Sequence, residues 1–84
     1  MKITLLYFGR PREYLALSNE TADVPDGITT LAGLLAWLRL RGEVWNKELA
    51  DNRVRCAINQ EFSGLSDNIH ERDEVAIFSP ISGG

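Results

Sequence analysis

Leu31, Leu34, Leu35 and Leu38 fall at i, i+3, i+4 and i+7, which lays one apolar stripe along a single amphipathic helix. Thr29 or Thr30 can cap its start, Arg39 and Arg41 favour its C-terminal dipole, and Gly42 supplies the stop. The chain has 84 residues, the length of one domain. At that size one such helix has one economical use, to lie across a sheet and supply half of its core. The rest must then supply the strands, and the sheet face that the helix does not cover stays open.

The strands read from alternation. Lys2 to Phe8 puts Ile3, Leu5 and Tyr7 on one side and Thr4, Leu6 and Phe8 on the other, until Gly9-Arg10-Pro11 breaks the pattern. Asn19 to Val24 is a polar, edge-type strand closed by the turn Pro25-Asp26-Gly27. Arg53 to Gln60 turns Val54, Cys56 and Ile58 inward, a loop carrying Gly64 follows, and Glu74 to Phe78 is the last strand, with Val75 and Ile77 inward. The expected fold is α+β: two strands, a helix, a strand, a short connection and a strand, with the helix packed across one face of a mixed sheet. Trp37 lies beside the leucine stripe and, with Trp45, is expected to cover the end of the core. Strand parity sends Leu6, Phe8, Ala57, Ala76 and Phe78 away from the helix, and Phe62 lies close by in sequence. Clustered exposed aromatics mark a partner surface, unless a loop folds over them.

Several function classes are disfavoured. The net charge is −3 with no basic stripe, so nucleic acid is not an expected partner. No apolar run approaches the ~20 residues that span a bilayer, and Met1-Lys2 leads straight into a strand without a cleavage signal. A cytoplasmic location with no membrane partner is the expectation. One histidine and one cysteine cannot build a zinc site of the common type, and Gly27, Gly33 and Gly42 are too scattered for a phosphate loop. Neither a metal nor a cofactor is expected. His70 sits in the polar turn Asn68 to Asp73 and reads as solvated; Cys56 reads as a small core residue, and as the single cysteine it excludes an internal disulfide. The chain looks like a substrate or carrier, with catalytic residues expected on a partner.

The sequence ends in Ser82-Gly83-Gly84. Two glycines without Cβ atoms thread a narrow cleft in almost any conformation and leave the α-carboxylate unhindered. The six residues from Ser79 span roughly 20 Å when extended. That pattern suits a carboxylate that is itself the reacting group, although a frayed terminus has the same composition.

Cys56-Ala57-Ile58-Asn59-Gln60, the run Asp73 to Gly84 with its Phe78, Pro80 and terminal di-glycine, and Leu6-Tyr7-Phe8-Gly9-Arg10-Pro11-Arg12-Glu13 together resemble the MoaD/ThiS family of sulfur carriers. The likeness is nearest to its molybdopterin synthase small-subunit branch. The resemblance implies a ubiquitin-like β-grasp domain over residues 1–78 and a flexible reactive tail over 79–84. It implies that a ubiquitin-activating-like adenylyltransferase uses ATP to adenylate Gly84. A persulfide donor of the cysteine-desulfurase or rhodanese type then leaves a C-terminal thiocarboxylate. The family passes that sulfur to a pyranopterin precursor inside a large synthase subunit, in a heterotetramer. On the same footing Ser82 and Gly83 thread the partner's cleft, and Phe8, Phe62, Phe78, Pro80 and Arg12 meet the large subunit. Arg12 and Glu13 match a family pair that a structural ion pair explains equally well, and Asp73 fits a turn residue. Ser79 stands where the family commonly has proline, which is expected to loosen the start of the tail. The alternatives are a carrier for thiazole, thionucleoside or cysteine synthesis, a ubiquitin-like protein modifier, and an interaction module with idle glycines.

Overall fold

The computed structural model describes residues 1–80. Among them five strands form one mixed sheet: β1 (Lys2–Tyr7), β2 (Asn19–Asp23), β3 (Arg55–Ile58), β4 (Glu61–Ser63) and β5 (Glu74–Phe78). Three helices join them: α1 (Gly9–Leu15), α2 (Leu31–Arg39) and α3 (Glu43–Glu48). The sheet order is β2-β1-β5-β3-β4. The two central strands, β1 and β5, run parallel, and every other pair is antiparallel. The first and last strands of the chain therefore lie side by side at its centre.

The leucine stripe lies inward as the periodicity requires. Leu31, Leu34, Leu35 and Leu38 are fully buried with Ile3, Leu5, Tyr7, Val75 and Ile77 of the sheet. Cys56 and Val54 join the same core, while Ile58 packs against it half-buried. Thr30 caps α2, its hydroxyl accepting from the Gly33 amide at 3.2 Å. The Leu31 and Ala32 amides, orphaned at the helix start, donate to the carbonyls of Asp67 and Leu65 at 3.0 and 2.9 Å. The loop before β5 is thus held against the helix it precedes in space. Asp73 is a turn residue, as expected: its carboxylate accepts from the Asn59 side chain at 2.9 Å and the His70 amide at 2.8 Å. The His70 side chain is exposed.

Three short elements go beyond the expected order. Gly9-Arg10-Pro11 does not end the regular structure; it starts α1. Proline within a first helical turn sacrifices no hydrogen bond, because the first amides have no partner inside the helix. Gly9 takes φ +60°, and a Cβ there would stand 3.0 Å from the Ser79 hydroxyl. Asn59 and Gln60 adopt φ of 50° and 72°, so the end of the expected long strand is a two-residue hairpin turn into β4. Two successive left-handed residues match the twist of paired strands, but the customary glycine is missing. α3, beyond Gly42, is short and brings Trp45 edge-on to Tyr7 at 5.9 Å between ring centroids. Both tryptophans pack against the core, as expected.

Candidate functional site: the uncovered sheet face

β1, β5, β3 and β4 align their outward residues across the sheet. The ladder register sets Leu6 beside Ala76, Ala76 beside Ala57, and Ala57 beside Phe62. One pleat closer to the end of β5, Phe78 pairs with Arg55. The Phe8 amide donates to the Ile77 carbonyl at 3.0 Å, which extends the ladder past β1 with Phe8 on the same side as Leu6. The two small alanines make the middle of this face shallow, and aromatic rings stand at its borders. Phe62 and Phe78 meet edge to face at 5.9 Å, a favourable arrangement for their quadrupoles.

Among the described residues no loop folds over the rings: Phe62 is 86% exposed and Phe8 46%. Phe78 is half-buried at the edge of the face, and the chain continues from it through Ser79 to the exposed Pro80. Phe8, Phe62 and Phe78, separate in sequence, therefore share one surface. Arg12 is exposed on α1, outside the strand rows that build it. The expectations for Ser82, Gly83 and Gly84 lie outside the described residues.

Ser79 departs from the loosening expected of it. Its hydroxyl accepts from the Arg10 amide at 3.4 Å, which ties the residue after β5 back to the start of α1. Arg12 and Glu13 form no ion pair with each other among the described residues; the pair that fastens α1 is Arg10 with Glu48. The Arg10 guanidinium donates to that carboxylate at 2.7 Å and 3.4 Å and also lies over the Tyr14 ring at 4.3 Å. Glu48 is 3% exposed, the one buried charged side chain among the described residues. Nothing in the one-dimensional pattern marks it, because its burial depends on where α3 lands.

A second polar cluster closes the far side of the core. Tyr7 donates to Glu20 at 2.7 Å, and Arg41 clamps the same carboxylate at 2.7 and 3.0 Å. Arg41 also lies over the Trp45 ring at 4.6 Å. Burial, reinforced by the Glu20 carboxylate, pushes the Tyr7 hydroxyl far above its ordinary pKa. For Glu20 burial alone would raise the pKa, but hydrogen bonds from Arg41 and Tyr7 outweigh it and leave the net shift downward. Burial likewise pushes the Cys56 thiol up to about 12, which makes it a poor nucleophile and agrees with a core role. Among the described residues no group of histidines, cysteines and carboxylates is arranged to hold a metal ion. Arg55 is the residue of the face that the sequence reading passed over; its parity, opposite to Cys56, would have placed it there.

The molybdopterin synthase sulfur carrier subunit of Arabidopsis thaliana is 36% identical over 84 residues, covering all of this chain and 84% of that protein. The human protein of the same description is 33% identical over 88 residues, covering 99% of this chain and 94% of its own. SAMP1 from Haloferax volcanii, a small archaeal modifier protein, shares 27% identity and a TM-score of 0.69, with both chains covered completely. A complex of subunits 1 and 2 of the molybdopterin-converting factor from Helicobacter pylori contains a chain with the same fold, at a TM-score of 0.67 and 20% identity over the full length of both. The ThiS family model matches residues 5–84. A central parallel pair of strands from the two ends of the chain, one long helix across the sheet and this family match over nearly every residue agree, and the chain belongs to the ThiS family of ubiquitin-like β-grasp proteins.

Proposed function

We propose that this chain is the sulfur-carrier subunit of a molybdopterin synthase, and that its β-grasp domain, residues 1–78, docks while residues 79–84 deliver the reacting group. The observation that carries the reading is the continuity between the uncovered apolar face and the chain leaving β5: Phe78 belongs to that face and leads within six residues to Gly84. At ~3.3 Å per residue that segment reaches roughly 20 Å when extended, which lets its end enter a partner's cleft while the face stays docked. The full-length relatives named as molybdopterin synthase sulfur carrier subunits support the same assignment.

The chemistry follows from the weakness of a free carboxylate as an electrophile. An adenylyltransferase transfers AMP from ATP to the Gly84 carboxylate, releasing pyrophosphate. A persulfide sulfur attacks the acyl carbon and AMP leaves. A second thiol then attacks the donor-side sulfur of the resulting acyl disulfide, forming a disulfide with the donor and freeing the thiocarboxylate. In the large subunit the thiocarboxylate sulfur attacks a carbon of the pyranopterin precursor and displaces an oxygen substituent. Water then cleaves the resulting thioester, leaving the sulfur on the precursor as a thiol and returning the Gly84 carboxylate. Phe8, Phe62, Phe78 and Pro80 supply docking area, Ser82 and Gly83 pass through the cleft, and Arg12 contacts a partner from α1. The shape of SAMP1 favours one second reading, a protein modifier that uses the same adenylation but ends in an isopeptide bond.

Incubation with ATP, the adenylyltransferase of the same organism and a persulfide donor, followed by alkylation and mass mapping of the C-terminal peptide, separates these. The carrier reading expects an alkylatable sulfur on Gly84. Lysine-linked conjugates at higher mass would favour the modifier. An unmodified Gly84, with the enzyme active on another carrier, would refute both.

A further inference from the structure

Two adjacent rows of the sheet face hold Leu6, Ala76, Ala57 and Phe62, then Phe8, Phe78 and Arg55. Arg55 is the single charge in those rows, directly across the ladder from Phe78 and beside the point where the chain leaves β5. Three other arginines are committed within the domain, Arg10 to Glu48, Arg39 to Asp51 and Arg41 to Glu20, and Arg12, Arg53 and Arg72 lie outside these two rows. Arg55 is exposed, and its described hydrogen bond is to the carbonyl of its own neighbour Val54, at 3.1 Å. That bond uses one of five guanidinium donors and does nothing for the charge.

Resting on the carrier reading above, we infer that Arg55 is a specificity-determining residue of the docking face, and that the large subunit presents a carboxylate to it beside the site that receives Phe78. The reason is desolvation. A partner that covers Phe78 and Phe62 also strips water from a guanidinium one strand away. An apolar partner surface would leave that charge unpaired, which costs more than the rest of so small a patch returns. A carboxylate meets it with two parallel hydrogen bonds in one plane and so sets the rotation of the carrier on its partner. Those two rows carry no other charge, and the next row along β5 holds one of opposite sign, Glu74 beside Thr4, so a carboxylate meeting Arg55 distinguishes the correct orientation electrostatically. It also places the fixed point next to the residues that must enter the active site.

The test is titration of the intact chain into the large subunit of the same organism by calorimetry, at about 50 and 500 mM salt. Wild type, Arg55→Lys, Arg55→Ala and Arg55→Glu are compared, with melting curves to show that each folds. Arg55→Ala is expected to weaken binding about tenfold to a hundredfold at low salt, Arg55→Lys less, and Arg55→Glu most. The Ala variant should also lose most of the salt dependence of the wild type. Wild-type affinity and salt dependence in Arg55→Ala would overturn the inference while leaving the carrier reading intact. Failure of the wild type itself to bind the large subunit would refute both, and mass mapping of Gly84 then shows whether the chain carries sulfur to another acceptor.

Discussion

Phe62→Ala separates docking from folding more cleanly than any other change on the sheet face. An aromatic side chain buries ~150–250 Å² when fully covered. With Phe62 at 86% exposure, a partner that covers the ring removes on the order of 130–215 Å² from water. At ~25 cal/mol per Å² the transfer is worth about 3–5 kcal/mol. Alanine retains part of that area, and the ring loses rotamer freedom on docking, so the expected net loss is about 2–3 kcal/mol, or roughly 30- to 150-fold in Kd. In the free domain the same ring touches Phe78 only edge-on, at 5.9 Å. Losing that contact costs at most ~1.5 kcal/mol of stability. Calorimetric titration into the large subunit and urea denaturation of the free chain therefore read out opposite behaviours from one variant. Unchanged affinity would refute the assignment of this face as the docking surface. Loss of stability comparable to the loss of affinity would show that the ring is structural after all.

Leu35→Ala should destabilise the domain by about 2–5 kcal/mol in urea denaturation, since Leu35 is fully buried on the long helix, and a loss under ~1 kcal/mol would contradict its central place in the core. Glu20 has its pKa lowered in the fold, so it contributes stability above the ordinary carboxylate pKa, and that contribution drains away as pH falls through the lower folded value. Melting curves from pH 7 to 3 should show an acid-limb loss that Glu20→Gln flattens; parallel limbs would exclude the Tyr7–Glu20–Arg41 cluster as its source. The buried Cys56 thiol should react with a disulfide reagent at pH 8 only as fast as the domain opens, and with full speed in denaturant. Immediate reaction in the native state would disprove its burial.

The sequence by itself determined every feature that depends on period. The leucine stripe of α2, the inward run Ile3, Leu5 and Tyr7, and the pair Val75 and Ile77 are all legible because a helix repeats every 3.6 residues and a strand every two. Parity sent Phe8 and Phe78 outward, and having one long helix left them without a cover. α1, α3 and the β3–β4 hairpin were not legible: each is about two turns of helix or less, or lacks its usual turn residue, and elements so short are stabilised by tertiary contacts more than by local preference. Only the folded chain decided that Glu48 is buried beneath Arg10, that Tyr7 and Arg41 converge on Glu20, and that Phe62 stands beside Phe78. Those pairs are separated by 38, 13, 21 and 16 positions, distances over which no local pattern operates. The sheet order decides them, by laying the last strand between the first and the third, where residues remote in the chain become cross-strand neighbours.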